Sequence, residues 1–237
     1  MKFAATLLIL VGTIGFASSS GRGEKYSLKP TGPEPETASA RFTLSAELDK
    51  PVDDLPSKIS LSGKLQTSIV EKQADGAYTR RTRFKIDETS PALDADDEKE
   101  WVKDSFYDRN GKEIKSAKVT GDVGIPWISG LDFQPPTQEV AIGDAWSTVN
   151  PGTPDSDAPA SFGASQLAGI EMVSGTRCFR VEQVVRSGGT DPTISYSTFW
   201  IRQSDGSLFK VDAVGSLKNF RDSSVSVKIA FSITFEG

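Results

Sequence analysis

From Ser39 onward the chain alternates apolar and polar side chains with a period of two. Phe42, Leu44, Ala46 and Leu48 alternate with Arg41, Thr43, Ser45 and Glu47. Ile59, Leu61, Gly63, Leu65 and Thr67 alternate with Ser60, Ser62, Lys64 and Gln66. The longest run is the last, where Val225, Val227, Ile229, Phe231, Ile233 and Phe235 alternate with Ser226, Lys228, Ala230, Ser232, Thr234 and Glu236. Successive side chains of a strand point to opposite faces, so each run predicts a strand with one buried and one wet face. Burying each larger apolar side chain is worth roughly 1.5–3 kcal/mol. A slip of one residue would expose all six of the last run, so its register is expected to be fixed tightly.

The turns agree with this pattern. Asp75-Gly76 separates the runs Lys58 to Lys72 and Ala77 to Asp87, Asn110-Gly111 lies inside YDRNGKEI, and Asp205-Gly206 lies inside FWIRQSDGSLFKV. Asx-Gly pairs suit tight hairpin turns because both residues accept positive φ. Ser174-Gly175 is expected to turn a further hairpin into CFRVEQVV. Consecutive hairpins make an antiparallel meander, and strands this long curl it. The expected fold is therefore all-β: a single antiparallel, strongly curved sheet of about nine to eleven strands, a half-barrel or open barrel. One short helix is added by Ser90-Pro91 and the following ALDADDEKEW, which carry a cap, a proline at the first position and acids in the first turn. Residues 122–160 hold six prolines and read as loop, with a short strand around Val140.

The amino terminus has a different character. Lys2 precedes an apolar run from Phe3 to Phe16, and small residues follow from Ala17 to Gly21. This is the layout of a secretory signal peptide over residues 1–19, cleaved after Ala17 or Ser19. The run is shorter than the roughly 18–20 residues that span a bilayer, and an uncleaved anchor is the alternative. Residues 20–38 read as a flexible proline-rich leader, and 39–237 as one β-rich domain. The only cysteine is Cys178, so neither an intrachain disulfide nor acylation at the cleavage site is expected. With no glycosylation sequon either, the chain reads as a bacterial protein, periplasmic or extracellular, without a lipid anchor. Loss of Lys2 leaves 26 basic against 32 acidic residues, a net charge of −6. Such a surface repels phosphate backbones, so nucleic acid is not expected as a partner.

The chain has no histidine. Ser-His-Asp and Cys-His catalysis and His-ligated metal sites are therefore absent from it. Cys178 sits in a strand pattern between Arg177 and Phe179 and reads as an inert packing residue. A pair of carboxylates could still hydrolyse a glycoside, which is the remote enzymatic alternative. Asp94, Asp96, Asp97, Glu98 and Glu100 could offer oxygen ligands to calcium, but Lys99 stands where a calcium loop starting at Asp94 needs glycine. The plainer reading is a solvated helix start. Asp108 to Gly111 resembles the opening of a calcium loop, in letters that hairpin turns share. Arg81, Arg83 and Lys85 share one strand face, either as an anion site or as a wet face that blocks aggregation. No metal and no cofactor are expected.

Val140 to Trp146 reads V-x-x-G-D-x-W, with Gly143 and Asp144 turning the Trp146 indole back onto the sheet as a structural anchor. Ala168 to Val181 follows as x-G-I-E-x-V-x-G-x-x-C-F-R-V, and Asp205 to Val211 as D-G-S-L-F-K-V. Over roughly its last hundred residues the chain resembles a group of exported bacterial β-rich proteins of unknown function. At the level of fold it resembles the periplasmic lipoprotein carriers (LolA/LolB-like), whose curved sheets shelter acyl chains. That resemblance implies a non-catalytic exported protein binding an apolar or lipid-like ligand in the concave face. The cavity candidates are Trp200, Ile229, Phe231, Ile233 and Phe235, from the two most aromatic-rich strand patterns. The competing readings are that these residues form a closed core, and that the protein is an envelope structural or interaction module bound to another envelope protein. Expressed with its own leader in a bacterium, the protein is expected in the exported fraction with Ser18 or Ser20 as its first residue. Intact mass measures this, and a full-length mass in the membrane fraction would establish the anchor instead.

Overall fold

A computed structural model describes residues 23–31, 36–52, 56–92, 99–109, 113–120, 133–150, 160–187, 193–217 and 225–236. The strands are β1 (Lys25–Tyr26), β2 (Thr37–Leu48), β3 (Lys58–Lys72), β4 (Tyr78–Ser90), β5 (Glu100–Tyr107), β6 (Glu113–Thr120) and β7 (Val140–Ala141). They continue with β8 (Ala145–Asn150), β9 (Ser161–Val173), β10 (Thr176–Ser187), β11 (Ile194–Arg202), β12 (Leu208–Leu217) and β13 (Val227–Phe235). Eleven of them form one antiparallel sheet in the order β6-β5-β4-β3-β2-β13-β12-β11-β10-β9-β8, and β1 pairs with β7 in a small second sheet. The fold is all-β, and the large sheet is open, with β6 and β8 at its edges rather than paired into a barrel.

The sheet consists of two meanders, β2 to β6 and β8 to β13, joined where β2 pairs with β13. Local turns set each meander. Asp75-Gly76 turns β3 into β4, with Gly76 at φ 92° and the Ala77 amide donating to Asp75 Oδ1 at 3.0 Å. Ser174 and Gly175 turn β9 into β10 with φ of 48° and 80°, the paired positive values a tight hairpin requires. Asp205-Gly206 turns β11 into β12. Asn110-Gly111 lies outside the described residues, between the paired strands β5 and β6.

The expected helix is not borne out among the described residues. Ser90 ends β4, Glu100 and Trp101 begin β5, and no helix occurs among the described residues. The neighbouring strand partners of β4 and β5 offset the local cap and acid signals at both ends of that segment. Residues 93–98 lie outside the described residues. The described part of the proline-rich leader, in turn, packs on the sheet. Leu28 is 1% exposed, the Tyr26 and Phe179 rings lie 5.0 Å apart, and the Thr31 amide donates to the Asp205 carbonyl at 2.9 Å.

One face of the large sheet, the inner face, carries the core in two clusters. The first joins Phe42 and Leu44 of β2, Leu65 of β3, Phe84 and Ile86 of β4, and the inward residues of β13. The second joins Leu167, Phe179, Val181, Phe199, Ile201 and Val211 of β9 to β12 with Leu28 and Val140 of the small sheet's segments. Gly63 is required within the first. A Cβ there would collide with the Lys85 carbonyl oxygen and come to 3.0 Å from the Phe42 ring.

Truncating Phe231→Ala is expected to cost about 3–5 kcal/mol. Gly63→Ala is expected to cost about 1–3 kcal/mol by overpacking. Lys228→Ala, on the exposed face of the same β13, is expected to stay within about 0.5 kcal/mol of wild type. Urea unfolding measures all three, and equal effects at positions 228 and 231 would contradict the assigned register.

Candidate functional site

The expected cavity residues fall on both faces of the sheet. Ile229, Phe231 and Ile233 are 2%, 7% and 9% exposed and belong to the first core cluster, with Phe235 packed against it. Register sets Phe231 beside Leu44 and Ile233 beside Phe42, and the Phe42 and Phe231 rings stack at 6.2 Å. Trp200 points to the opposite, outer face. Its indole N–H donates to Glu171, and Lys210 Nζ lies 4.7 Å from the ring centre. The inward aromatic of β11 is Phe199, fully buried and 5.4 Å from Phe133.

The other candidates resolve in the same way. Cys178 is buried, and burial pushes its thiol pKa up; Arg202 opposes this and Glu171 adds to it. The thiol is protonated at neutral pH and enclosed, which makes it a packing residue. Trp146 is partly buried against the second cluster, and its indole N–H donates to the Gln134 carbonyl at 3.1 Å. The Gly143-Asp144 turn that delivers it has Gly143 at φ 95° and the Ala141 amide donating to Asp144 Oδ2 at 2.8 Å. In the row Arg81, Arg83, Lys85, Arg81 makes a two-bond pair with Asp104 at 2.8 Å, and Arg83 pairs with Glu100 at 3.0 Å. Of the acidic cluster only Glu100 is described, in that pair. No group of three or more possible metal ligands occurs among the described residues.

What sequence reasoning missed lies on the outer face. A groove of about 530 Å³ crosses β12, β13, β2, β3 and β4. Its floor carries small side chains in two rows. One runs Asp212, Ser232, Thr43, Ser62, Glu88; the next runs Val214, Ala230, Ser45, Ser60, Ser90. Asp212 accepts from Ser232 Oγ at 2.5 Å and from Lys210 Nζ at 2.7 Å. Toward the β8 edge the outer face turns apolar, with Val149, Phe162, Ile194, Tyr196 and Val214 each about half exposed or more. The small polar residues of the floor were visible as the wet half of each alternation. Their assembly into a groove depends on which strands become neighbours.

No protein-family model matches the chain, and no curated protein matches it. Among solved structures there is a likeness to the structure of DynF from the dynemicin biosynthesis pathway of Micromonospora chersina. The identity is 7%, 92% of this chain and 86% of that one are covered, and the TM-score is 0.26. The class defined by the fold is thus an all-β protein built on one open eleven-stranded antiparallel sheet.

The Arg81–Asp104 pair sets a pH dependence. Its hydrogen bonds and charge hold the Asp104 carboxyl below its ordinary pKa, against a smaller opposing effect of burial. A depressed carboxylate adds stability that is present above the unfolded value near 3.9 and is lost as pH falls through the folded value. Arg81 is 40% exposed, so solvent screening holds the contribution to about 1 kcal/mol or less. Asp104→Asn is therefore expected to lower stability slightly at pH 7 and to flatten its decline below pH 4, as followed by urea midpoints across pH.

Proposed function

We propose that this is a non-catalytic exported protein that acts as an envelope interaction module, with a filled core and its partner on the outer face of the sheet. The observation that carries the reading is the burial of Ile229, Phe231 and Ile233 among Phe42, Leu44, Leu65 and Phe84. Side chains that fill each other's space leave the inner face of that half without room for an acyl chain. The accessible groove and the exposed Val149, Phe162, Ile194, Tyr196 and Val214 are on the other face.

Non-catalysis is supported by the carboxylates of the groove. Asp212 and Glu88 stand four strand steps apart, about 19 Å along the sheet, against the 5–9.5 Å that glycoside hydrolysis uses. Export rests on the signal-peptide layout of residues 1–19. No described helix is long and apolar enough to cross a membrane.

One feature favours a second reading, a carrier of a lipid-like ligand in a half-barrel similar to that of the LolA/LolB-like proteins. In the β9–β11 part of the inner face, Ser165, Gln183 and Ser197 form a buried polar row, and Gln183 Oε1 has no hydrogen-bond partner. A bound molecule with a donor group would satisfy it, as would a buried water. Native mass spectrometry of the mature protein, purified from the producing cell without detergent, separates the two. A bare chain mass is expected; an excess of several hundred daltons, lost on denaturation and identified as lipid, would establish the carrier.

A further inference from the structure

Strand register builds a line of cations one row beyond the outer groove, whose own lining holds Asp212 and Glu88 and no Lys or Arg. At a single level across the sheet, the neighbours in order are Arg180, Trp200, Lys210, Thr234, Arg41, Lys64, Lys85 and Glu100. The last three cations are direct cross-strand neighbours on β2, β3 and β4, about 4.8 Å apart from strand to strand. Like charges directly opposite one another weaken a sheet; Glu236 beside Arg41 and Glu100 opposite Lys85 offset this at the two ends and leave Lys64 between two cations. Arg41 touches Glu236 at 3.4 Å with both side chains more than half exposed, a weak pair. Lys64 and Lys85 are exposed, and Lys85 lies directly across from Glu100 of β5, whose carboxylate Arg83 holds at 3.0 Å.

The floor beside this line is chemically distinct. Thr43, Ser45, Ser60, Ser62 and Ser232 present hydroxyls in rows parallel to the cations. Hydroxyls donate and accept, which suits the hydroxyls of a sugar, and the groove crosses five strands, a length of about 19 Å. None of the outward-facing residues of the floor is aromatic, so bases would have nothing to stack on within the groove. Asp212 is already engaged by Lys210 and Ser232. Glu88 is exposed at the far end and opposes an anionic ligand there.

We propose that the outer groove and the Arg41–Lys64–Lys85 line beside it bind a linear acidic polysaccharide, the sugar hydroxyls on the Ser/Thr floor and the carboxylates on the cation line. This rests on the reading that the protein works through its outer face and names the partner. The chain's overall net charge of −5 makes the line a local exception, so the contact is confined to this groove.

Calorimetric titration of the mature protein with polygalacturonate, with dextran as neutral control and poly(dT) as a second polyanion, tests it. Polygalacturonate is expected to bind, dextran not, and raising NaCl from about 50 to about 200 mM to weaken binding about tenfold. The Lys64→Gln/Lys85→Gln double variant is expected to bind about tenfold more weakly with an unchanged or raised Tm, since it removes a like-charge contact. Glu88→Gln is expected to bind more tightly. Absence of polygalacturonate binding, unchanged affinity in the double variant, or equally tight binding of poly(dT) would each overturn the proposal. None of these results would alter the filled-core reading, which the native mass tests separately.

Discussion

The pairing of β2 with β13 holds the large sheet together. Each meander is assembled from strands joined by connections of two to ten residues, but these two strands come from opposite ends of the folded chain. Closing so long a loop costs entropy that grows only logarithmically with its length. Nine residue pairs along the seam, and the burial of Val227, Ile229, Phe231 and Ile233 beside Leu48, Ala46, Leu44 and Phe42, offset it. Without that seam the first core cluster would lose one wall, and the outer groove would lose the strand that sets Ser232 and Ala230 beside Thr43 and Ser45.

The seam also explains why the two faces differ. Every strand from β9 to β13 and β2 sends its alternate residues inward, and register lines these up into rows such as Leu167, Val181, Phe199, Val211, Ile233 and Phe42. Large apolar side chains in such a row fill space and exclude water. The matching outward rows are free of that packing demand, so they hold hydroxyls, ion pairs and cations and, toward β8, exposed apolar side chains. Where the inner row is polar, at Ser165, Gln183 and Ser197, a buried amide oxygen is left unpaired. Such a group costs free energy unless water or a ligand meets it.

Several elements were legible because their causes are local. The Asp75-Gly76, Ser174-Gly175 and Asp205-Gly206 turns sit where the residues that tolerate positive φ lie between alternating runs. The alternation from Val225 to Phe235 named the buried side of β13 residue by residue. Other elements were obscured because local signals pointed elsewhere. Ser90-Pro91 and the acids after it resemble a helix start, yet strand neighbours claim both ends of that segment. Leu28 lies among prolines and charges, and only its burial beneath β1 and β7 reveals it as core. β8 was hidden in proline-rich sequence, where six residues with a single aromatic make a weak strand signal.

The sequence by itself determined the strand periodicity, most hairpins, the absence of imidazole chemistry and the export-like start of the chain. Each of these depends on residue identity or on neighbours a few positions apart. Only the tertiary structure decided what lies beside what. Aromatic strand patterns could line a cavity or fill a core, and packing against β2 to β4 made the β13 stripe core while the outward pleat turned Trp200 away from it. Arg41, Lys64 and Lys85 are ordinary wet-face residues in three separate runs, and they become one line of charge because hydrogen-bond register aligns β2, β3 and β4. Register is set by the burial of the opposite face, so the polar pattern of the outer surface follows from the apolar pattern of the inner one.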